Sequence, residues 1–146
     1  MGLYFEEFNV GDEYITQRRT VTESDITLFA GMTGDNNPLH TDQVFAQKTQ
    51  FEGRIAHGLL GASIAVGLWC RLGLVDGTAL AFLSTQWKFV NPVKLGDTIY
   101  ARLNISDKRE TSKKGRGIIT IKFDVRNQDE TQVQDGEMLL MVAAKS

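Results

Sequence analysis

The chain holds only two imidazoles, His40 and His57, and a single thiol, Cys70, so acid–base or nucleophilic chemistry has few residues to draw on. His40 follows Asp35 by five positions, with Asn36, Asn37, Pro38 and Leu39 between them. Pro38 and the asparagine pair favour a turn, which keeps the two side chains off one continuous helix and lets both aim at a common point. A carboxylate and an imidazole so placed suit a reaction in which one proton leaves water while another reaches carbon. The same residues also fit a plain capped turn beside a solvated histidine. One cysteine excludes an internal disulfide, and one cysteine with two histidines falls short of the four ligands of a closed zinc site. Cys70, in an apolar stretch with no basic neighbour to activate it, reads as a small buried core residue.

The elements that must carry these groups follow from the punctuation of the chain. Asn9-Val10-Gly11-Asp12 signals a turn, after which residues 13–21 form a candidate strand. Thr22-Glu23-Ser24-Asp25 has the spacing of a capping box at the head of a helix, with Ile26, Phe29 and Ala30 as its apolar face and Gly34 as its stop. Thr41-Asp42 caps a short helix running to Lys48. Residues 58–73 are apolar almost all the way round, which predicts a helix surrounded by other structure.

Strict alternation then takes over. Ile99, Ala101, Leu103 and Ile105, and again Ile119, Ile121, Phe123 and Val125, face away from polar partners, as half-buried antiparallel strands require. The continuously apolar residues 138–144 suit a central strand, and residues 111–117 and 127–130 suit exposed hairpin loops. The expected class is α+β, a buried helix embraced by a curled antiparallel sheet, in one domain over residues 1–146 with no linker or internal repeat.

Composition agrees: 146 residues, 42% hydrophobic and 23% charged, describe an ordinary globular chain with a real core. A net charge of -2 and a pI near 5.7 argue against a nucleic-acid partner, whose phosphates call for a basic surface. The first residues lack the basic and apolar regions of a secretory signal, and the apolar run at 59–72, interrupted by Gly61 and Gly67, is shorter than the ~20 residues of a membrane span. The expectation is a cytoplasmic protein with no membrane partner.

Gly-Asp-Asn-Asn-Pro-Leu-His at 34–40, followed by Ala46, resembles the hydratase signature of the MaoC-like dehydratases, the family of the (R)-specific enoyl-CoA hydratases. Phe-Glu-Gly-Arg-Ile-Ala-His-Gly at 51–58 and Phe-Val-Asn-Pro-Val-Lys-Leu-Gly-Asp at 89–97 resemble two further blocks of that family in the same order, so the likeness covers nearly the whole chain. It implies the hot-dog fold, a long helix wrapped by an antiparallel sheet. It also implies reversible addition of water to a trans-2-enoyl-CoA to give an (R)-3-hydroxyacyl-CoA. No cofactor is implied beyond the CoA of the substrate, and at least a homodimer is expected. By this resemblance Asp35 and His40 match the catalytic pair that holds the water, with the acid and base roles left open between them.

Gly58 matches the family's backbone donor. It opens the apolar helix, where free N–H groups can meet the charge that grows on the thioester oxygen, although a glycine there also fits a simple turn into the helix. Three further residues have two readings each. Asn37 orients the loop of the dyad or merely precedes proline. His57, just before the donor, positions that loop or contacts substrate, or else only starts the helix. Ser63 orients Asp35 or bonds back to its own helix, and Val66 stands where some family members carry a serine. Lys113, Lys114 and Arg116 form a solvated hairpin tip or meet the CoA phosphates. Two other functions fit the same fold, an acyl-CoA thioesterase and a silent acyl-CoA-binding module, but neither calls for the Asp35–His40 pair.

Overall fold

A computed structural model describes residues 1–145. After a 3-10 turn at Phe5–Glu7 run β1 (Glu13–Ile15), β2 (Arg19–Thr20), α1 (Glu23–Thr33), α2 (Pro38–Thr41), α3 (Gln43–Gln47), α4 (Gly58–Cys70), β3 (Ala79–Phe89), β4 (Thr98–Glu110), β5 (Arg116–Arg126) and β6 (Gln132–Ala143). The strands form an antiparallel sheet in the order β1-β4-β5-β6-β3, with β2 also pairing to β4. The alternating residues of β4 and β5 face the core as period two demands: Ile99, Ala101, Leu103, Ile105, Ile119, Ile121, Phe123 and Val125 are all 2% exposed or less. β6, whose second half is the apolar run that begins at Met138, is central, flanked by β5 and β3.

The single strand expected over 13–21 is broken in two. Ile15 pairs with Arg102 but Arg19 with Ile99, so four steps on one strand oppose three on the other, the signature of a bulge. Thr16 makes the bulge tolerable: its hydroxyl accepts the Ala101 N–H at 2.9 Å, standing in for the missing backbone acceptor.

α4 packs on β4 and β6. It buries Leu60, Ala65, Leu68 and Trp69, with Trp69 meeting Phe123 edge-on at 6.4 Å between ring centres. It ends at Cys70, and it is not surrounded as its composition led us to expect. The sheet covers one side only, while Leu59, Ser63, Gly67 and Cys70 lie exposed on the other. Cys70 is therefore an exposed thiol and not a core residue. Burial of part of its surface, aided by Asp76, pushes that thiol's pKa up. Beside this open face runs β3, an edge strand that turns Leu80, Phe82, Leu83 and Phe89 outward at 43–55% exposure. No helix among the described residues is long and apolar enough to cross a membrane.

Candidate active site

The dyad turn is aimed by the elements on either side of it. At the head of α1 the capping box forms as its spacing predicts: the Thr22 hydroxyl accepts the Asp25 N–H and the Asp25 carboxylate accepts the Thr22 N–H at 2.9 Å. Arg19 clamps the same carboxylate through both guanidinium nitrogens. At its tail Gly34 adopts φ 81°, a left-handed conformation that glycine reaches without strain, and this swings Asp35 out of the helix.

Asn37 then caps α2, its side-chain oxygen accepting the Leu39 N–H at 3.0 Å, and Pro38 fills the first helical position, where no N–H is needed. His40 thus sits on a single helical turn and not in an open loop. Asp42 caps α3 through the Phe45 N–H at 2.9 Å. Arg54 ties the assembly together by donating to Glu23 on α1 and to Gln43 on α3.

Asp35, His40, His57 and Gly58 come together around one cleft of about 430 Å³, completed by Phe29, Thr33, Leu59 and Phe89. Nδ1 of His40 lies 2.7 Å from the carbonyl oxygen of Ile55, and a carbonyl can only accept, so Nδ1 carries a hydrogen and, in the neutral ring, Nε2 has the lone pair. One carboxylate oxygen of Asp35 accepts the Asn37 N–H at 3.3 Å. Behind them His57 is buried. Its Nε2 lies 2.9 Å from the Asp35 carbonyl oxygen, and its ring stacks on that of His40 at 3.8 Å and 25°.

Gly58 is the first residue of α4, and no side chain caps that helix start, so its N–H has no intrahelical partner. A Cβ at this position would lie 2.8 Å from the ring carbons of Phe89, which explains why a glycine stands here. The Gly58 carbonyl receives the buried side chain of Gln134 at 3.1 Å, and Gln134 in turn accepts the Trp87 indole N–H at 2.8 Å.

Two of the residues singled out from sequence face elsewhere. The Ser63 hydroxyl donates to the Leu59 carbonyl one turn back, at 2.7 Å, and borders two other depressions. Asn37 spends its side-chain oxygen on the cap of α2. Phe29, Phe89, Gln134 and the Ile55 carbonyl were not anticipated. The last leaves no trace in side-chain identity, and Gln134 sits among Gln132, Asp135 and Glu137 in the polar first half of β6, so nothing in the sequence sets it apart.

Asp35, His40 and His57 each offer a possible metal-ligand atom, all within 4.8 Å of one another. An imidazole lone pair lies in the ring plane, however, so two stacked rings do not converge on one ion. Nδ1 of His40 and Nε2 of His57 are also committed to carbonyl oxygens. The arrangement suits acid–base work better than ligation.

The (R)-specific enoyl-CoA hydratase of Rhodospirillum rubrum is 39% identical over 104 residues, covering 70% of this chain and 69% of that protein. The 3-hydroxybutyryl-CoA dehydratase of Methylorubrum extorquens is 35% identical over 144 residues, covering 98% and 86%. Protein MaoC of Klebsiella aerogenes is 41% identical over 113 residues, 77% of this chain, which spans only 33% of that longer protein. Among solved structures, the monoamine oxidase regulatory protein from Archaeoglobus fulgius superposes with a TM-score of 0.93 at 35% identity, over 99% of this chain and 97% of the other. The architecture is the hot-dog fold, α+β. The model of the MaoC-like domain matches residues 7–127, which contain the whole Asp35–His40–Gly58 cleft, and the chain belongs to that family.

Proposed function

We propose that this chain is a hydro-lyase that adds water reversibly to a trans-2-enoyl-CoA to give an (R)-3-hydroxyacyl-CoA, with no cofactor beyond the CoA of its substrate. The observation that carries this reading is the convergence of the Asp35 carboxylate and the His40 imidazole on one cleft, beside the uncapped start of α4 at Gly58. The activities named for the relatives from R. rubrum and M. extorquens support it.

In this reading a water sits between Asp35 and Nε2 of His40, the nitrogen left free by the Ile55 carbonyl. As the water oxygen bonds to C3, its proton passes to Nε2 and the electrons of the double bond move to the thioester oxygen. Gly58 N–H and the positive end of α4 meet that charge. The enolate then collapses as C2 takes the proton back from His40 on the same face. Asp35, an acceptor, holds the second hydrogen of the water and orients its lone pair toward C3.

The same proposal includes a second copy of the chain. The outer edge of β3 forms no ladder among the described residues, and the exposed side of α4 continues the apolar surface of that edge. A homodimer closing both accounts for a helix that is apolar on every side.

The test follows loss of enoyl absorbance and release of free thiol together, using a short trans-2-enoyl-CoA with the parent, Asp35→Asn and His40→Ala. Alkene loss without thiol, abolished in both variants, is the expected result. Thiol release would make the protein a thioesterase, and binding without turnover would make it a carrier of acyl-CoA.

A further inference from the structure

His57 touches every part of the proposed machinery without presenting a free nitrogen to it. The residue is 3% exposed. Nε2 faces the Asp35 carbonyl oxygen at 2.9 Å, and since that oxygen only accepts, Nε2 must carry the hydrogen. Among the described residues Nδ1 is buried with no partner, and we assign it the lone pair, because a second hydrogen there would be a buried donor lacking an acceptor. The face of the ring lies on His40 at 3.8 Å, and Phe29 meets it at 4.9 Å with a 56° tilt. Gly58 is the next residue along the chain.

Resting on the hydration reading above, we propose that His57 is the positioning residue of the dyad, fixing the Asp35 main chain through its Nε2–H and the His40 ring through its face. The His40 ring is thereby held in two directions, in its plane by Nδ1–H to the Ile55 carbonyl and across its face by His57. A half-turn about its terminal torsion would lose the Ile55 contact, and a quarter-turn would break the stack as well. Residues 55–58 deliver all of these groups from one short segment, which is itself anchored. Ile55 N–H donates to the Leu39 carbonyl, beside His40, and Ala56 N–H donates to Val93 at 2.7 Å. A displacement of the segment therefore moves the base, the carboxylate and the backbone donor together. The two rings of the stack must also hold opposite tautomers, His40 with hydrogen on Nδ1 and His57 with hydrogen on Nε2.

Two measurements test the proposal. Hydration kinetics on a short trans-2-enoyl-CoA compare the parent with His57→Ala, His57→Phe, which keeps a stacking ring, and His57→Gln, which keeps an N–H for the Asp35 carbonyl. Thermal melts run alongside, and Asp35→Asn serves as the reference for the site. With the alignment of the dyad lost, kcat should fall about 10- to 100-fold in His57→Ala while KM stays within about threefold. Phe and Gln should each restore part of kcat, in an order that does not track melting temperature.

An unchanged kcat, or a raised KM with kcat intact, overturns the positioning role. If Asp35→Asn is inactive while His57→Ala is not, only this inference fails. If Asp35→Asn keeps full turnover, the hydration site itself is wrong and the positioning role falls with it.

The second measurement needs no variant to fold. With two histidines in the chain, long-range 1H–15N spectra at mildly alkaline pH, where free imidazoles are neutral, should contain one Nδ1–H and one Nε2–H ring. Two rings of the same tautomer would overturn the proposal.

Discussion

At Gly58 the absence of a side chain lets the Phe89 ring rest against the start of α4, and two substitutions separate that packing from the chemistry. Alanine and proline both add a Cβ that would lie 2.8 Å from the Phe89 ring carbons, but only proline deletes the N–H. Proline is compatible with the backbone, because His57 sits at φ -57°, ψ 138° and the first helical position favours it. We expect Gly58→Pro to lower kcat about 100-fold further than Gly58→Ala does, the size of a lost oxyanion donor. Equal losses in the two variants would remove Gly58 from the mechanism. The meeting of Asp35 and His40 at one cleft was legible because Asp35, Pro38 and His40 are close in sequence and their turn is local. His57 was legible as the residue before the Gly58 donor, with three readings open, and its contact with Asp35 was not, since that bridges 22 residues.

The elements that hold the dyad rest on caps and one buried amide. Thr22→Ala should cost about 1 kcal/mol of stability, read by urea unfolding. Burial within that cap pushes the Asp25 carboxyl upward, but hydrogen bonds from Arg19 and Thr22 outweigh it and hold the group below its ordinary range. A carboxyl lowered in the folded state adds stability above its unfolded pKa and gives it up as pH falls through the unfolded and then the folded value. Asp25→Asn should therefore flatten the decline of unfolding free energy that the parent shows from about pH 5 toward pH 3, and parallel curves would exclude this contribution.

Gln134 joins three elements, β6 through its backbone, α4 through the Gly58 carbonyl and β3 through Trp87. Gln134→Leu leaves the indole N–H without its partner and should destabilise the fold by about 1–3 kcal/mol in the same assay. The caps of α1 and α3 were legible because a cap is a pattern over four residues. The bulge at Thr16 was not, because it depends on the register between β1, β2 and β4.

For the whole molecule, the decisive surface is the open side of α4 with the outer edge of β3. If a second copy closes it, sedimentation velocity will give a dimer for the parent. Leu80→Lys with Phe82→Lys will shift it to monomer, since both side chains stand exposed on that strand and a charge there is costly to bury. A parent that sediments as a monomer would remove the homodimer from the proposal. The composition of α4 called for cover on every side, and the sheet and α1 leave Leu59, Ser63, Gly67 and Cys70 exposed. That mismatch, invisible while the helix was only a string of apolar residues, is what points to another subunit.

The sequence by itself determined the helix-then-strands order, the caps of α1 and α3, the alternation that faces β4 and β5 inward, and the pairing of Asp35 with His40. Each of these is governed by forces acting over a few neighbouring residues, periodicity, capping and turn chemistry. The tertiary structure alone decided that His57 would lie under both members of the dyad, that Ser63 would turn back to its own helix, that Cys70 would stand exposed, and that Ile55 would fix the tautomer of His40. Those outcomes depend on which distant backbone atoms and surfaces arrive together, and single-residue chemistry carries no record of distance across the fold.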